Sequence, residues 1–418
     1  MNRKLLHNKN FILLTLGRFI STLGTYLQNF GLSLYILKET HDATLFASTL
    51  AISYIPQVIL GPFAGVLADR FNRKNLMVIL DLISGIILGF FSLQLFLNNH
   101  LSVFQIYFIQ LSLATINTFF TPVSMSMLPN VVEKEERKDA NSLNSFMMSA
   151  VNLLSPLLGG FIYVFGLFPL MALNSLSFIL SAISEMFIKL EKNKKIKEKL
   201  NIKSFLNDLK EGVFLLIKDK KIIAVIFIAF VSNLTISPFF SIGVPYLLKT
   251  TLNIDDKIYG LTISFMVSGL FIGPILANIL MKKYSSDYLI KKCYIFSSIY
   301  FAIGGILFMP SIVFAYKFII IGIIGWLVMA TLQIFSICLV TDFQNIVPNE
   351  YYGRVGALFN TVATGSIPIG QIVIGFMFQK MLVMYIFFNI GIFLIISAYI
   401  YSFLLKDNGS NIFSRSIN

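Results

Sequence analysis

Long apolar runs, separated by short polar gaps, repeat along the whole chain. A membrane span needs roughly 20 mainly apolar residues. On that measure the pattern predicts twelve spans, at about 11–37, 44–68, 76–97, 101–128, 140–166, 168–190, 222–248, 258–281, 289–309, 313–342, 353–379 and 382–405. Several exceed the minimum, so tilt or extension past the bilayer is expected. One gap is long: EKNKKIKEKLNIKSFLNDLKEGVFLLIKDKK, residues 191–221. Its mixture of Lys and Glu suggests an amphipathic helix on the membrane surface, with a solvated linker as the alternative. The chain therefore divides into an N-terminal six-helix bundle (1–190), a basic cytoplasmic linker (191–221) and a C-terminal six-helix bundle (222–418). The fold class is an all-α membrane protein.

The two halves echo each other. The end of span 4 into span 5 reads NVVEKEERKDANSLNSFMMSAVNLLSPLLGGF, and the end of span 10 into span 11 reads NIVPNEYYGRVGALFNTVATGSIPIGQIVIGF. Asn130 aligns with Asn345 and Gly160-Phe161 with Gly375-Phe376 at one common offset. Gly61-Pro62 aligns with Gly273-Pro274 at nearly the same offset. Parallel repeats related by an axis along the membrane normal are one of the transporter designs.

Composition agrees with lipid as the solvent. The chain is 56% hydrophobic and 13% charged, with 42 Phe among 418 residues. A water-soluble surface cannot be built from so few polar side chains. Cys293 and Cys338 both lie in apolar runs, and the three His are far apart, so neither a disulfide framework nor a metal centre is suggested. The net charge of +13 would suit nucleic acid, but its distribution argues otherwise. With the N-terminus in the cytoplasm, 27 of the 33 Lys and Arg fall on cytoplasmic segments and only five on outer loops. Such a bias orients a polytopic protein and favours anionic headgroups. Both termini are expected on the cytoplasmic side of a plasma membrane, with the first span retained rather than cleaved as a signal peptide.

The loop between spans 2 and 3 carries the most specific motif. Gly65, Asp69, Arg70, Arg73 and Lys74 fill every fixed position of G-x-x-x-D-R-x-x-R-[KR]. With twelve spans, a 6+6 repeat and this loop, the chain resembles the major facilitator superfamily. In that family the Asp meets the start of span 11, here near Gly353-Arg354, where free backbone N–H groups favour an anion. The resemblance implies a conformational latch between halves; a basic turn that only sets orientation is the plainer alternative. The second-half copy, ANILMKKYSSDYLIKK, lacks the matching Asp, so one latch is expected. Within the superfamily the strings LGRFISTLGTYLQNFGLSLYI, PQVILGPFAGVLADRFNRK, LPNVVEKEERKDANSLN and VPNEYYGRVGALFNT look like the macrolide-efflux and siderophore-exporter branch. The antiporter helix-packing motif of span 5 is kept in part: Pro156, Gly159 and Gly160 fit, whereas Val151 and Ser155 stand where the family has glycines. The Arg-containing motif of span 4 is absent.

Charges inside spans are costly and therefore informative. Arg18 in span 1, Asp81 in span 3 and Glu185 in span 6 lie at similar depths, so Arg18 could pair with either acid and hold a carboxylate that exchanges a proton. A fixed ion pair or snorkelling is the alternative. Asp342 near the end of span 10 is a further candidate for charge coupling. In the family, spans 1, 4, 7 and 10 line the central cavity. On them stand Thr25, Gln28, Asn29, Gln110, Asn117, Asn233, Trp326 and Gln333, which suit either a wide neutral cavity or hydrogen bonding between helices.

No phosphate-binding loop or nucleophile–His–acid arrangement is present, so the chain is expected not to be an enzyme and to need no cofactor. The expected function is secondary active export of a bulky amphipathic compound, such as a macrolide-type drug. Proton antiport and alternating access would drive it, with a monomer as the functional unit and protons, substrate and lipid as partners. Export of a siderophore or other metabolite, symport into the cell, and a non-transporting sensor or partner subunit remain the alternatives.

Overall fold

In lipid a backbone segment must satisfy its own hydrogen bonds, and a helix does so within one segment. The computed structural model follows that rule. It describes residues 7–70, 72–133, 136–189, 220–312, 316–347 and 352–406, so nearly all of the expected linker lies outside the described residues. The helices of the first half are α1 (Lys9–Thr40), α2 (Ala43–Ile52), α3 (Ile55–Arg70), α4 (Arg73–Asn98), α5 (Val103–Val131), α6 (Arg137–Ile162) and α7 (Leu167–Met186). Those of the second half are α8 (Lys220–Pro238), α9 (Val244–Tyr246), α10 (Asp256–Leu280), α11 (Ser286–Leu307), α12 (Lys317–Ile346), α13 (Tyr352–Lys380) and α14 (Val383–Lys406). Among the described residues, eleven segments are long and apolar enough to cross a membrane, with α2 and the start of α3 counting as one and α8 through Thr251 as another. The remaining long helix, α1, has 32 residues, ample for a crossing, but carries a polar stripe. Large apolar side chains face outward, with Phe165 80% and Phe104 77% exposed, as lipid permits and water does not.

Two predicted spans depart from a plain α-helix. Span 2 is interrupted at Ser53 and Tyr54, whose N–H groups donate to Leu50 and Ala51 carbonyls at 3.2 and 3.1 Å. Pro56, just inside α3, has no N–H with which to continue the ladder of α2. Span 7 widens: π-turns at Phe239–Gly243 and Leu247–Thr251 flank α9. Pro238 and Pro245 withhold donors there, and Leu252 N–H reaches back five residues to Leu247 O at 2.9 Å.

Two compact units are present. The first comprises Met1–His41, Thr49–Leu200 and Ile254–Ser264; the second comprises Asp42–Ser48, Asn201–Asn253 and Phe265–Asn418. The second is knitted by aromatic rings: Phe239 lies 4.8 Å from Phe301 and 5.1 Å from Phe387 between ring centres. There Ser298 Oγ of α11 donates to Gly391 O of α14 at 2.8 Å. The first unit has the reciprocal bond, from Ser175 Oγ of α7 to Gly85 O of α4 at 2.7 Å.

In the first unit α1 lies against α7 through Gly17, Gly24 and Gly31, spaced seven apart and so on one face. A Cβ at Gly24 would sit 2.4 Å from Ser177 Oγ, and one at Gly31 would sit 2.3 Å from Leu170 Cδ1. Small residues here let the helix backbones approach. Gly24→Val therefore lowers the melting temperature of the detergent-solubilised protein, by an overpacking cost of about 1–3 kcal/mol. Gly61→Ala, where nothing lies within 4 Å, leaves it unchanged. Equal melting of the two variants would refute the tight α1–α7 contact.

Candidate functional site

The same α1–α7 contact positions the charges. Along α7, Asn174, Ser177, Ser181 and Glu185 recur at spacings of three, four and four, forming one polar line toward the Met186 end. At its upper part Asn174 Nδ2 donates to Gln28 Oε1 of α1, and Ser177 Oγ donates to Asn174 O at 2.7 Å. Lower down, Ser181 stands beside both Asp81 of α4 and Glu185. Arg18 of α1 is close enough for its charge to act on Glu185.

The two acids of this cluster are closed to the surface yet incompletely bonded. Glu185 is 0% and Asp81 2% exposed. Both Glu185 oxygens, Asp81 Oδ2 and Ser181 Oγ are buried with no hydrogen-bond partner. The structure thus brings together Arg18, Asp81 and Glu185, as their depths along the spans suggested, but Arg18 does not hydrogen-bond Glu185. The cation acts across a gap. A charged carboxylate without a partner is expensive in such a place, whereas a proton on the carboxyl removes the cost.

The latch motif is divided. Gly65, Asp69 and Arg70 lie on the last turns of α3, but their side chains fall outside the described residues, as do those of 352–354 where α13 begins. The expected contact of Asp69 with the start of span 11 therefore also lies outside them. Arg73 and Lys74 are described, and both bind carbonyls of their own unit. Arg73 Nη1 donates to Ser126 O of α5 at 3.4 Å, and Lys74 Nζ to Met186 O, the last residue of α7, at 2.7 Å. The last carbonyls of a helix lack intrahelical partners and favour a cation.

The polar residues expected to line a cavity fall into two groups. Several join helices: Gln28 bonds Asn174, Asn233 Nδ2 of α8 donates to Ala363 O of α13 at 3.0 Å, and Trp326 Nε1 of α12 donates to Ser268 Oγ of α10 at 3.1 Å. Gln333 packs over Gly273, and Gln110 is buried. Thr25 bonds back along its own helix to Ser21 O at 2.9 Å. Asn29 and Asn117 are exposed, the latter accepting from Thr121 Oγ1 at 3.3 Å. Of the packing motif, Gly159 meets the Phe30 ring, and Gly160 meets Gly260, whose Cβ would lie 2.4 Å from the Pro156 carbonyl. Two of the groups that escaped sequence reading lie here. One is Ser181, which the three-four-four line on span 6 marks. The other is Gln371 of α13, whose Nε2 donates to Ser241 Oγ at 3.3 Å while its Oε1 is buried without a partner.

Comparison with known proteins agrees with this architecture. The family model of the Major Facilitator Superfamily matches residues 14–371. The chain is 24% identical to macrolide efflux protein A of Streptococcus pyogenes over 365 residues, which cover 85% of this chain and 86% of the relative. It is 24% identical to the uncharacterised MFS-type transporter YkuC of Bacillus subtilis (strain 168) over 297 residues, 68% of this chain and 67% of the relative. The crystal structure of the nucleoside transporter NupG superposes with a TM-score of 0.74, covering 95% of this chain and 99% of that one at 12% identity, a likeness of fold alone. A multi-pass helical membrane protein with this match is a transporter rather than an enzyme: the chain belongs to the Major Facilitator Superfamily.

Proposed function

We propose that the protein expels bulky amphipathic compounds of the macrolide type across the plasma membrane in exchange for protons, by alternating access. The observation that carries the substrate class and direction is the similarity to macrolide efflux protein A along 85% of the chain. Support for proton coupling comes from the first unit, where Glu185 is fully buried, has no well-formed hydrogen bond, and lies beside Ser181 and within the fields of Asp81 and Arg18.

The chemistry runs through one proton. With Glu185 neutral, the carboxyl needs no ion pair and the gap to Arg18 costs little. When the proton leaves, the new carboxylate must gain a partner, and Arg18 is the nearby cation. Closing that gap takes a new rotamer of Arg18 or a shift of α1 against α7, two helices that the glycine contacts make a closely fitted pair. A proton thus binds one arrangement better than the other, which is the condition for shifting an equilibrium between states. Antiport follows if substrate favours the arrangement in which the proton is released. Asp69 serves as the cytoplasmic latch in this reading, supported by the complete motif around it.

Cells that express the protein become less susceptible to macrolides, and a protonophore restores accumulation. A panel of hydrophobic antibiotics and dyes showing no difference with and without the protein would overturn the substrate class. Glu185→Gln lowers export roughly tenfold or more, consistent with a lost coupling free energy of about 1–3 kcal/mol, while the protein still inserts. Full proton-driven export by both Glu185→Gln and Asp81→Asn would remove this cluster from the mechanism. Asp69→Asn impairs export without lowering the amount of protein in the membrane; export at the normal rate would leave the motif a simple basic turn.

A further inference from the structure

The second unit holds a charged cluster of its own. Asp287, at the start of α11, is gripped from two sides: Lys221 Nζ of α8 lies 3.4 Å from Oδ2, and Tyr401 OH of α14 donates to Oδ1 at 2.9 Å. Both oxygens are thereby held as those of a charged carboxylate. Asp342 of α12 lies beside Asp287 and Ser286. It is 6% exposed, and its Oδ2 is buried with no hydrogen-bond partner. Around it stand Asp287 and Ser286 from α11, Lys221 from α8 and Tyr401 from α14, with Cys338 one turn back on its own helix. Among the described residues, one cation thus faces two carboxyls.

The placement parallels the first unit. There the cation is on the first span (Arg18), one acid on the third (Asp81) and another on the sixth (Glu185). Here the cation is at the start of the helix that leads into the seventh span (Lys221), one acid is at the start of the helix of the ninth (Asp287), and the twelfth supplies Tyr401 in place of an acid. The second carboxyl comes instead from span ten, as Asp342.

We infer that Asp287 and Asp342 form a one-proton site in the second unit, in which Asp342 holds the proton and Asp287 stays ionised. Lys221 and Tyr401 already satisfy the charge on Asp287, so a proton there would waste an ion pair and an accepted hydrogen bond. Asp342 is less well compensated, with the Ser286 hydroxyl beside it, one oxygen unpartnered and Lys221 already engaged by Asp287, and as a neutral acid it can donate to the Asp287 carboxylate. When the proton departs, two negative charges share one Lys, an arrangement that a buried site resists. The use of this site in transport rests on the proton coupling proposed above, but its occupancy does not.

Dicyclohexylcarbodiimide reacts with protonated carboxyls in apolar surroundings, and peptide mass spectrometry locates the adduct. In the full-length protein reconstituted in phosphatidylcholine vesicles at neutral pH, Asp342 is modified and Asp287 is not. Lys221→Met makes Asp287 reactive, and Asp342→Asn abolishes the adduct on that peptide. Modification of Asp287 in preference to Asp342 in the wild type, or of neither, overturns the inference. Both wild-type arms are independent of how the variants fold. The adduct on Glu185 in the same digest reports separately on the first-unit cluster, so the two readings can fail independently.

Discussion

Backbone-close packing of α1 on α7 is the constraint from which the candidate site follows. Gly17, Gly24 and Gly31 remove the side chains that would hold the helices apart, and Ser177, Ser181 and Leu170 occupy the space. Van der Waals contact and hydrogen bonds between helices, rather than the expulsion of water, supply the association energy in a bilayer. The same line of α7 that accepts the glycines carries Glu185. Tight packing therefore buries the carboxyl, and the depth of Arg18 on α1 puts a cation near it without joining the two. On the other side of α7, the Ser175–Gly85 bond fixes α4 and with it Asp81.

A charge cluster built in this way differs from an ordinary ion pair. A closed pair of buried charges is a structural fixture, costly to break. Here neither Glu185 oxygen has a well-formed hydrogen bond, although Ser181 stands close by, so the carboxyl is not locked in a closed pair. Elsewhere in the unit many polar groups join helices or helix ends. Gln28 bonds Asn174, Ser184 Oγ bonds Leu13 O at 2.8 Å, and Asn10 exchanges hydrogen bonds with the Lys189 backbone. Thr15 Oγ1, Gln28 Nε2 and Ser124 Oγ are also buried without a partner, but among the described residues Glu185 is the residue of the unit whose two carboxyl oxygens are both left so.

Much of the fold was legible in the chain, because a twenty-residue apolar run admits few other interpretations. The basic loop motif after span 2 stands out in the sequence because its residue types recur at fixed spacing, whereas its expected contact lies outside the described residues. Local backbone departures were less so. Pro56, Pro238 and Pro245 are visible as breakers, but not whether a span breaks, as after Ile52, or widens into π-turns, as after Pro238. The charges of the first unit announced themselves through their cost in lipid. Asp287 did not, since at the start of α11 it resembles any acid in a first turn, and only the fold brings Lys221 and Tyr401 to it. Amides were ambiguous for a physical reason: Gln28 and Asn233 have the same hydrogen-bonding groups whether they face a ligand or another helix, and here both join helices.

The central claim is that substrate and proton compete through the carboxyl of Glu185. It is tested most directly by adding a macrolide to purified protein in weakly buffered detergent solution and recording the pH of the medium. The account predicts that binding releases protons from the wild type and that Glu185→Gln binds with the release diminished. Macrolide binding to the wild type with no change in pH would contradict it.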